Sequence, residues 1–370
     1  MTQVCHITSV HRPEDVRIFH KECVSLAKAG YDVYLVQQGE SYEKNGVHIV
    51  GLGQPPTGRL KRMISFARQA YEAALTVNAD IYHLHDPELL PWGLKLKKRG
   101  KKVVFDSHER YVEQLRTKAY LPTWTGSLIA TLYGAYERRI LRQLDAAILP
   151  CTFEGKNPFQ GICARTPIIS NAAVLEEFYQ RYNPIAPKKS NQVCYVGGLT
   201  EIRGITASIR AVSLAGASLA LAGAFSPRGY EEKLRSMPEF ACVDYRGSLN
   251  LEGVAHLLLE SQIGLCVLLN RGQYWKSDTL SIKVFEYMSM GLPVILYPSV
   301  YNKKMVEQYQ FGLCADPEDL EAFSAAIRYL LDNPEEAQQM GENGRRAVWE
   351  EFNWGVEEKK LLTLYEDILK

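Results

Sequence analysis

Short apolar runs alternate with helix-period patterns along almost the whole chain. In the first half the runs are Val4–Ser9, Asp32–Val36, Val47–Leu52, Ile81–His85, Lys102–His108 and Ala146–Pro150. Helical patterns separate them, notably over Val16–Ala29, Arg59–Ala79, Glu88–Lys98 and Trp124–Leu144. In the second half the runs are Val193–Gly198, Ser218–Gly223, Val243–Gly247, Ile263–Leu268, Pro293–Tyr297 and Gly312–Ala315, again with helices between. This alternation predicts βαβ units and parallel sheets. With 370 residues the chain exceeds one ordinary core, so two doubly wound α/β domains follow. Residues 1–175 form the first and 176–352 the second, with a Pro- and Lys-containing seam between Asn171 and Lys189. A final helix, residues 353–370, is set off by Asn353-Trp354.

Composition narrows the class. Apolar residues make up 46% and the net charge is +1, as in a globular protein. The first half is net basic and the second net acidic, which suggests different partners for the two domains. Eight cysteines include no CxxC pair, and several sit inside apolar runs. That pattern predicts buried free thiols in a reducing compartment. There is no leader-like start and no apolar run long enough to span a membrane, so the expected place is the cytoplasm. No strand ends in a full G-x-G-x-x-G: Gly51-Leu52-Gly53 is followed by Gln54-Pro55-Pro56. There is no Walker A either. Both points argue against dehydrogenases and P-loop NTPases.

The candidate chemistry lies in Asp278 to Pro298, DTLSIKVFEYMSMGLPVILYP. It reads as loop, helix, turn and buried strand. Asp278 and Glu286 have seven residues between them. With Asp278 before the helix and Glu286 inside it, both carboxylates can face the helix N-terminus. Helix-start N–H groups there suit an anion. Two acceptor-only groups beside an anion site fit a ligand with hydroxyls at both ends and a diphosphate between, which is a nucleotide-sugar. Two solvated acids on a surface helix are the competing reading. Upstream, Tyr195-Val196-Gly197-Gly198-Leu199-Thr200-Glu201-Ile202-Arg203-Gly204 ends a strand and opens a helix. Its glycines let backbone approach a phosphate, and Arg203 can pair with one bidentately.

The acidic-x7-Glu spacing, with Gly291-Leu292-Pro293-Val294 after it, resembles the signature of the retaining family-4 glycosyltransferases of the GT-B fold, capsule and O-antigen types included. In that family the first acid is usually Glu; here it is Asp278. The glycine run resembles the family's VGRLxxxKG element, with Gly198 for the usual Arg and Arg203 for the usual Lys. Ser170-Asn171-Ala172-Ala173 resembles its PNGVD strand end. The loop His11 to Arg17 lacks the Gly-Gly pair that many members carry.

The resemblance implies two Rossmann-like domains facing across a cleft, with the last helix crossing back onto the first. It implies Glu286 on the ribose, Asp278 on the transferred sugar, Arg203 on the diphosphate and His108 at the donor sugar. Gly197, Gly198, Lys283, Thr279, Leu280 and Ser281 complete the donor set. Lys283 either neutralises Glu286 or reaches phosphate. His108 alternatively is a structural strand-end residue. No Asp-x-Asp occurs, so no metal and no resident cofactor is expected; the nucleotide-sugar, a UDP-sugar by preference, is a substrate.

On the acceptor side the candidates are Asp15, Arg17, Asp86, Arg59, Lys61 and Arg62. Asp15 and Asp86 have helix-capping alternatives. Arg59, Lys61, Arg62 and Arg68 are interleaved with Met63, Ile64 and Phe66. Lys95 to Lys102 supply further cations, and Tyr120 to Trp124 an apolar loop. Such a face predicts peripheral seating on an anionic inner leaflet and a polyprenyl-diphosphate-linked glycan acceptor. The alternative is a plain solvated surface. No nucleic acid partner is expected. Two rival functions remain, a GT-B sugar epimerase and a non-catalytic subunit of a glycan-assembly complex.

Overall fold

The computed structural model of the protein describes residues 1–58, 61–116, 123–271 and 273–370. It divides into two compact units. One comprises Met1–Asn171 with Gly355–Lys370, the other Ala172–Trp354. Each is a Rossmann-like α/β domain around a mainly parallel sheet.

The first sheet has seven strands: β1 (Gln3–Ile7), β2 (Asp32–Gln37), β3 (Tyr42–Lys44), β4 (Val47–Gly51), β5 (Ile81–Leu84), β6 (Lys102–Asp106) and β7 (Ala146–Ile148). Their order is β3-β4-β2-β1-β5-β6-β7. All pairs are parallel except β3 with β4. The apolar runs bury because helices cover the sheet, as parallel sheets require. Tyr82, Leu84, Val103 and Phe105 are at most 1% exposed. Sequence reasoning omitted β3. Asn45 and Gly46, at φ 53° and 76°, make the two-residue hairpin turn that joins it to β4.

The first helical pattern is not a plain α-helix. Val16–Cys23 is π-helical and continues as an α-helix over Val24–Lys28. The second pattern likewise holds a π-helical segment, Arg62–Phe66, before the α-helix Ala67–Val77. The last helix, Trp354–Leu369, contributes Leu361 and Tyr365 to the first unit's interior, both 0% exposed.

The second sheet comprises β8 (Gln192–Val196), β9 (Ser218–Ala222), β10 (Val243–Tyr245), β11 (Ile263–Cys266), β12 (Val294–Leu296) and β13 (Gly312–Cys314). Their order is β10-β9-β8-β11-β12-β13, all parallel. Alternate residues of β8 enter separate cores: Val193 and Tyr195 one, Cys194 the other. Both faces are therefore covered. In each unit the strand order reverses at one strand, β1 in the first and β8 in the second. Ligands of open α/β sheets bind beyond the strand C-termini at such reversals.

Candidate functional site

In the second unit the chain leaves β8 at Gly197, whose φ is 131°. Gly223, which follows β9, has φ 141°, and a β-carbon there would stand 1.9 Å from the Gly197 carbonyl oxygen. Only a glycine at 223 permits this approach. Tyr195 donates its hydroxyl to the Gly198 carbonyl at 3.1 Å, which fixes the turn.

The helix Ile282–Ser289 is locked to this turn by Tyr287. Its hydroxyl accepts the Val196 N–H at 2.9 Å. Its ring lies against Gly264 of β11, where a β-carbon would come within 2.4 Å of ring carbon. Lys283 is thereby fixed one turn earlier on the same helix. Its ammonium sits 3.6 Å from the centroid of the Tyr195 ring. A β-carbon on Gly197 would meet Lys283 Nζ at 3.0 Å and Arg203 Nη1 at 3.6 Å. Two cations thus converge on the Gly197-Gly198 backbone. Lys283 therefore stands beside the turn at position 198, where the family's usual Arg is absent, while Glu286 also lies within its electrostatic reach. Burial, and then repulsion by Arg203, lower its pKa to about 8.

Arg203 ends a short 3₁₀ turn, Glu201–Arg203, ahead of the helix Ile205–Leu214. Ser281 takes the N-cap position of the Ile282–Ser289 helix without a side-chain cap bond; its hydroxyl is 3.1 Å from Cys266 Sγ. Thr279 Oγ1 is bonded to the Leu280 carbonyl, and the Leu280 side chain is buried. These three can therefore serve a ligand mainly through backbone N–H groups. Asp278 precedes the helix and Glu286 sits in its second turn, both half-buried.

The first unit carries a cavity of about 460 Å³ where its strand order reverses. His85, Asp86, Glu88, His108, Arg62 and His11 are among its lining. His108 is half-buried; its Nε2 lies 3.1 Å from His85 Nδ1 and 3.4 Å from Asp106 Oδ2. Burial lowers its pKa to about 4, so at neutral pH it is an uncharged imidazole.

Of the acceptor-side candidates, Arg17 departs from its expectation, while Asp15 and Asp86 each had two open readings. Asp15 caps the first helix, its Oδ1 accepting from the N–H groups of Arg17 and Ile18 at 2.9 and 3.1 Å. Arg17 is 4% exposed and turned inward. Its Nε and Nη2 donate to Asp106 at 2.7 and 3.1 Å, and Nη1 to the Ile169 carbonyl. Burial pushes the Asp106 carboxyl up, but Arg17 holds it well below the usual range. Asp86 does not cap the following turn. It gathers the loop after β1, accepting from Thr8 Oγ1 at 2.8 Å and Ser9 N–H at 2.6 Å and pairing with His11 at 3.1 Å. Lys61 is exposed, whereas Arg62 lines the cavity. Arg59 and the Tyr120–Pro122 part of the apolar loop lie outside the described residues.

Arg17→Met is expected to destabilise the first unit by about 3–5 kcal/mol, because Asp106 would lose its buried partner. Urea unfolding followed by circular dichroism measures it. An unchanged midpoint would contradict this role for Arg17.

Sequence reasoning missed a buried set in the same unit: His6, His83, Glu22 and Tyr365. His6 pairs with His83 in the β1–β5 register, and His83 and His85 share a strand face at i, i+2. That spacing was the available signal. No described helix is long and apolar enough to cross a membrane.

Two Rossmann-like units with mainly parallel sheets have the GT-B architecture. A family model described as Glycosyltransferase Family 4 matches residues 17–175, and one described as Glycosyl transferases group 1 matches residues 179–347. The chain belongs to these glycosyltransferases. It is 22% identical to the MMP alpha-(1->4)-mannosyltransferase of Mycolicibacterium hassiacum over 315 residues, 82% of this chain and 74% of that protein. Its fold resembles a sucrose-phosphate synthase from Thermosynechococcus elongatus, with TM-score 0.79, 18% identity and coverage of 100% of this chain and 99% of that one. It also resembles Anabaena HepE in complex with UDP and glucose, with TM-score 0.73, 11% identity and coverage of 99% and 100%.

Proposed function

We propose that the protein moves a sugar from a nucleotide-sugar, UDP-linked by preference, onto a lipid-linked glycan acceptor with retention of anomeric configuration. The observation that carries this reading is the convergence of Lys283 and Arg203 on the Gly197-Gly198 backbone. Arg203 and Lys283 bind the diphosphate, with the N–H groups of residues 279–282 beside them. Glu286 accepts from the ribose hydroxyls and Asp278 from the sugar. As the glycosidic bond breaks, charge builds on the departing diphosphate. Fixed cations stabilise that charge more than the ground state, which lowers the barrier. No protein nucleophile and no metal is assigned to this step. Uncharged His108 serves as a hydrogen-bonding group to the donor sugar. UDP in the HepE complex supports the choice of base. Retention rests on the resemblance of the Asp278–Val294 block to the retaining family-4 enzymes.

A thermal-shift screen of nucleotide-sugars tests the donor. A ligand at 100 times its Kd stabilises by about 2.7 kcal/mol, so a UDP-sugar should raise the melting temperature by several degrees. No shift with any nucleoside-diphosphate sugar at millimolar concentration would overturn the reading.

The surface polysaccharide role and peripheral seating on the inner leaflet rest on the basic first unit. Lys61 lies beside Ile64, which is 62% exposed. Part of the expected basic face is otherwise engaged: Arg68 pairs with Glu72 and Lys97 with Asp145, both at 2.7 Å. Each cation near an anionic surface contributes about 1 kcal/mol. Lys61→Glu, a change of two charges and about 2 kcal/mol, should therefore lower partition to vesicles containing anionic lipid about 30-fold at low salt. Equal sedimentation of variant and wild type would direct the search to soluble acceptors.

A further inference from the structure

We propose that His6, His83, His85 and Glu22 form a closed binding site for one zinc ion inside the first unit, separate from the donor-binding residues. A ring nitrogen of each histidine and a carboxylate oxygen of Glu22 lie within 4.8 Å of one another. All four residues are at most 2% exposed. His6 Nδ1 is 2.9 Å from His85 Nε2, and Glu22 Oε2 is 3.9 and 4.0 Å from those two atoms. Tetrahedral zinc with bonds near 2.0–2.1 Å separates its ligand atoms by about 3.3 Å. These distances bracket that value, so side-chain shifts bring the set onto an ion.

Hydrogen bonding points the same way. Without an ion, His83 Nε2 and both Glu22 carboxyl oxygens lack a hydrogen bond of ordinary geometry, although the Glu22 carboxyl also faces Asp106. Buried polar atoms are rarely left so, and three in one cluster call for a missing partner. Glu22 Oε1 does lie 3.1 Å from Arg17 Nε, but that N–H is given to Asp106. The outer nitrogen of each imidazole has a neighbour of its own, and the proton that His6 Nδ1 and His85 Nε2 share without an ion would leave on metal binding. His6 Nε2 and His83 Nδ1 lie 3.3 and 2.8 Å from the Tyr365 hydroxyl, which can accept from both. His85 Nδ1 lies 3.1 Å from His108 Nε2. Each can donate outward and present its other nitrogen inward, as metal-bound histidines do.

The chemistry of the set selects the ion. Three imidazoles and one carboxylate without thiolate suit zinc better than calcium or magnesium, which take oxygen ligands. Four protein ligands leave no open position, so the site is structural. It ties β1, β5 and the π-helical segment Val16–Cys23 together, with Tyr365 of the last helix beneath. A second grouping, His85, Asp106 and His108, is the weaker choice, because both Asp106 oxygens are engaged by Arg17.

The test uses the full chain, expressed with zinc in the medium and purified without chelator. Plasma mass spectrometry should find about one zinc per chain. X-ray absorption should show nitrogen and oxygen neighbours at about 2.0–2.1 Å and no sulfur shell. Glu22→Gln, which keeps the shape, and His83→Gln should each lose at least ten-fold of the bound zinc while circular dichroism stays that of wild type. If either variant fails to fold, the wild-type stoichiometry and neighbour shell decide. Less than a tenth of an equivalent in wild type, with no thermal shift on adding Zn²⁺ to the metal-free protein, overturns the site. So does a sulfur shell, or zinc retained at full stoichiometry in folded variants.

Discussion

Glu286→Gln is expected to lower kcat/KM for the nucleotide-sugar by about 100-fold and to leave the melting temperature nearly unchanged. In the proposed site the carboxylate accepts from two ribose hydroxyls. Hydrogen bonds to a charged acceptor contribute about 1.5–3 kcal/mol each. Glutamine keeps one acceptor and turns an NH₂ group towards the second hydroxyl, so one bond is lost and another weakened. A loss of about 2.7 kcal/mol is 100-fold. Folding should be spared, because Glu286 is half-buried on a helix held mainly by Val284, Phe285, Tyr287 and Met288, all below 5% exposure. Initial rates at sub-saturating donor, beside a melting curve, give both readouts. A variant with wild-type kcat/KM would remove Glu286 from the donor site. A variant that melts early would make it a structural residue.

The architecture was legible because its strands are buried on both faces. Runs such as Lys102-Val103-Val104-Phe105-Asp106 need no partner to be recognised as strands, and helix-period stretches between them imply crossovers. The strand Tyr42–Lys44 escaped because all three residues are exposed, so apolar patterning carries no signal there. The π-helical stretch Val16–Cys23 escaped for another reason. Its apolar positions satisfy the ordinary helix period, and the widened turn shows only in the backbone. In the donor site the spacing of Asp278 and Glu286 marked the helix. The proposed role of Lys283 depends on how that helix packs on β8 through Tyr287, which is a tertiary fact. Arg17 was misassigned because exposed loops and buried networks use the same residue types. Only burial and register tell them apart. The histidine cluster illustrates the limit. His6 and His83 are far apart in sequence, and the parallel register of β1 with β5 makes them neighbours.

Lys283 should give the donor reaction a pH dependence that its replacements alter in opposite ways. Burial and the nearby Arg203 hold its pKa at about 8, well under that of a solvated lysine. The amine is charged below that pH and neutral above it, so its attraction for a diphosphate is present at pH 7 and lost as pH rises through 8 to 9. Because kcat/KM reports the free enzyme, it should fall on the alkaline side by up to ten-fold per pH unit. A bound diphosphate favours the charged amine, so kcat at saturating donor should fall only at higher pH. Lys283→Arg keeps the charge throughout, since a guanidinium does not titrate here, and it can stack on Tyr195 in place of the ammonium. It should abolish the alkaline fall while retaining substantial activity. Lys283→Met keeps the aliphatic bulk and removes the charge. Losing a charge-assisted phosphate contact of about 3 kcal/mol should cost kcat/KM roughly 100-fold near pH 7 and leave the alkaline limb flat. Profiles of kcat/KM from pH 6.5 to 9.5 for the three proteins decide the matter. A wild-type profile without an alkaline fall would show that Lys283 does not titrate in the free enzyme. The same fall in Lys283→Arg would assign the titration to another group, and the cation that stands in for the missing residue at position 198 would have to be sought elsewhere.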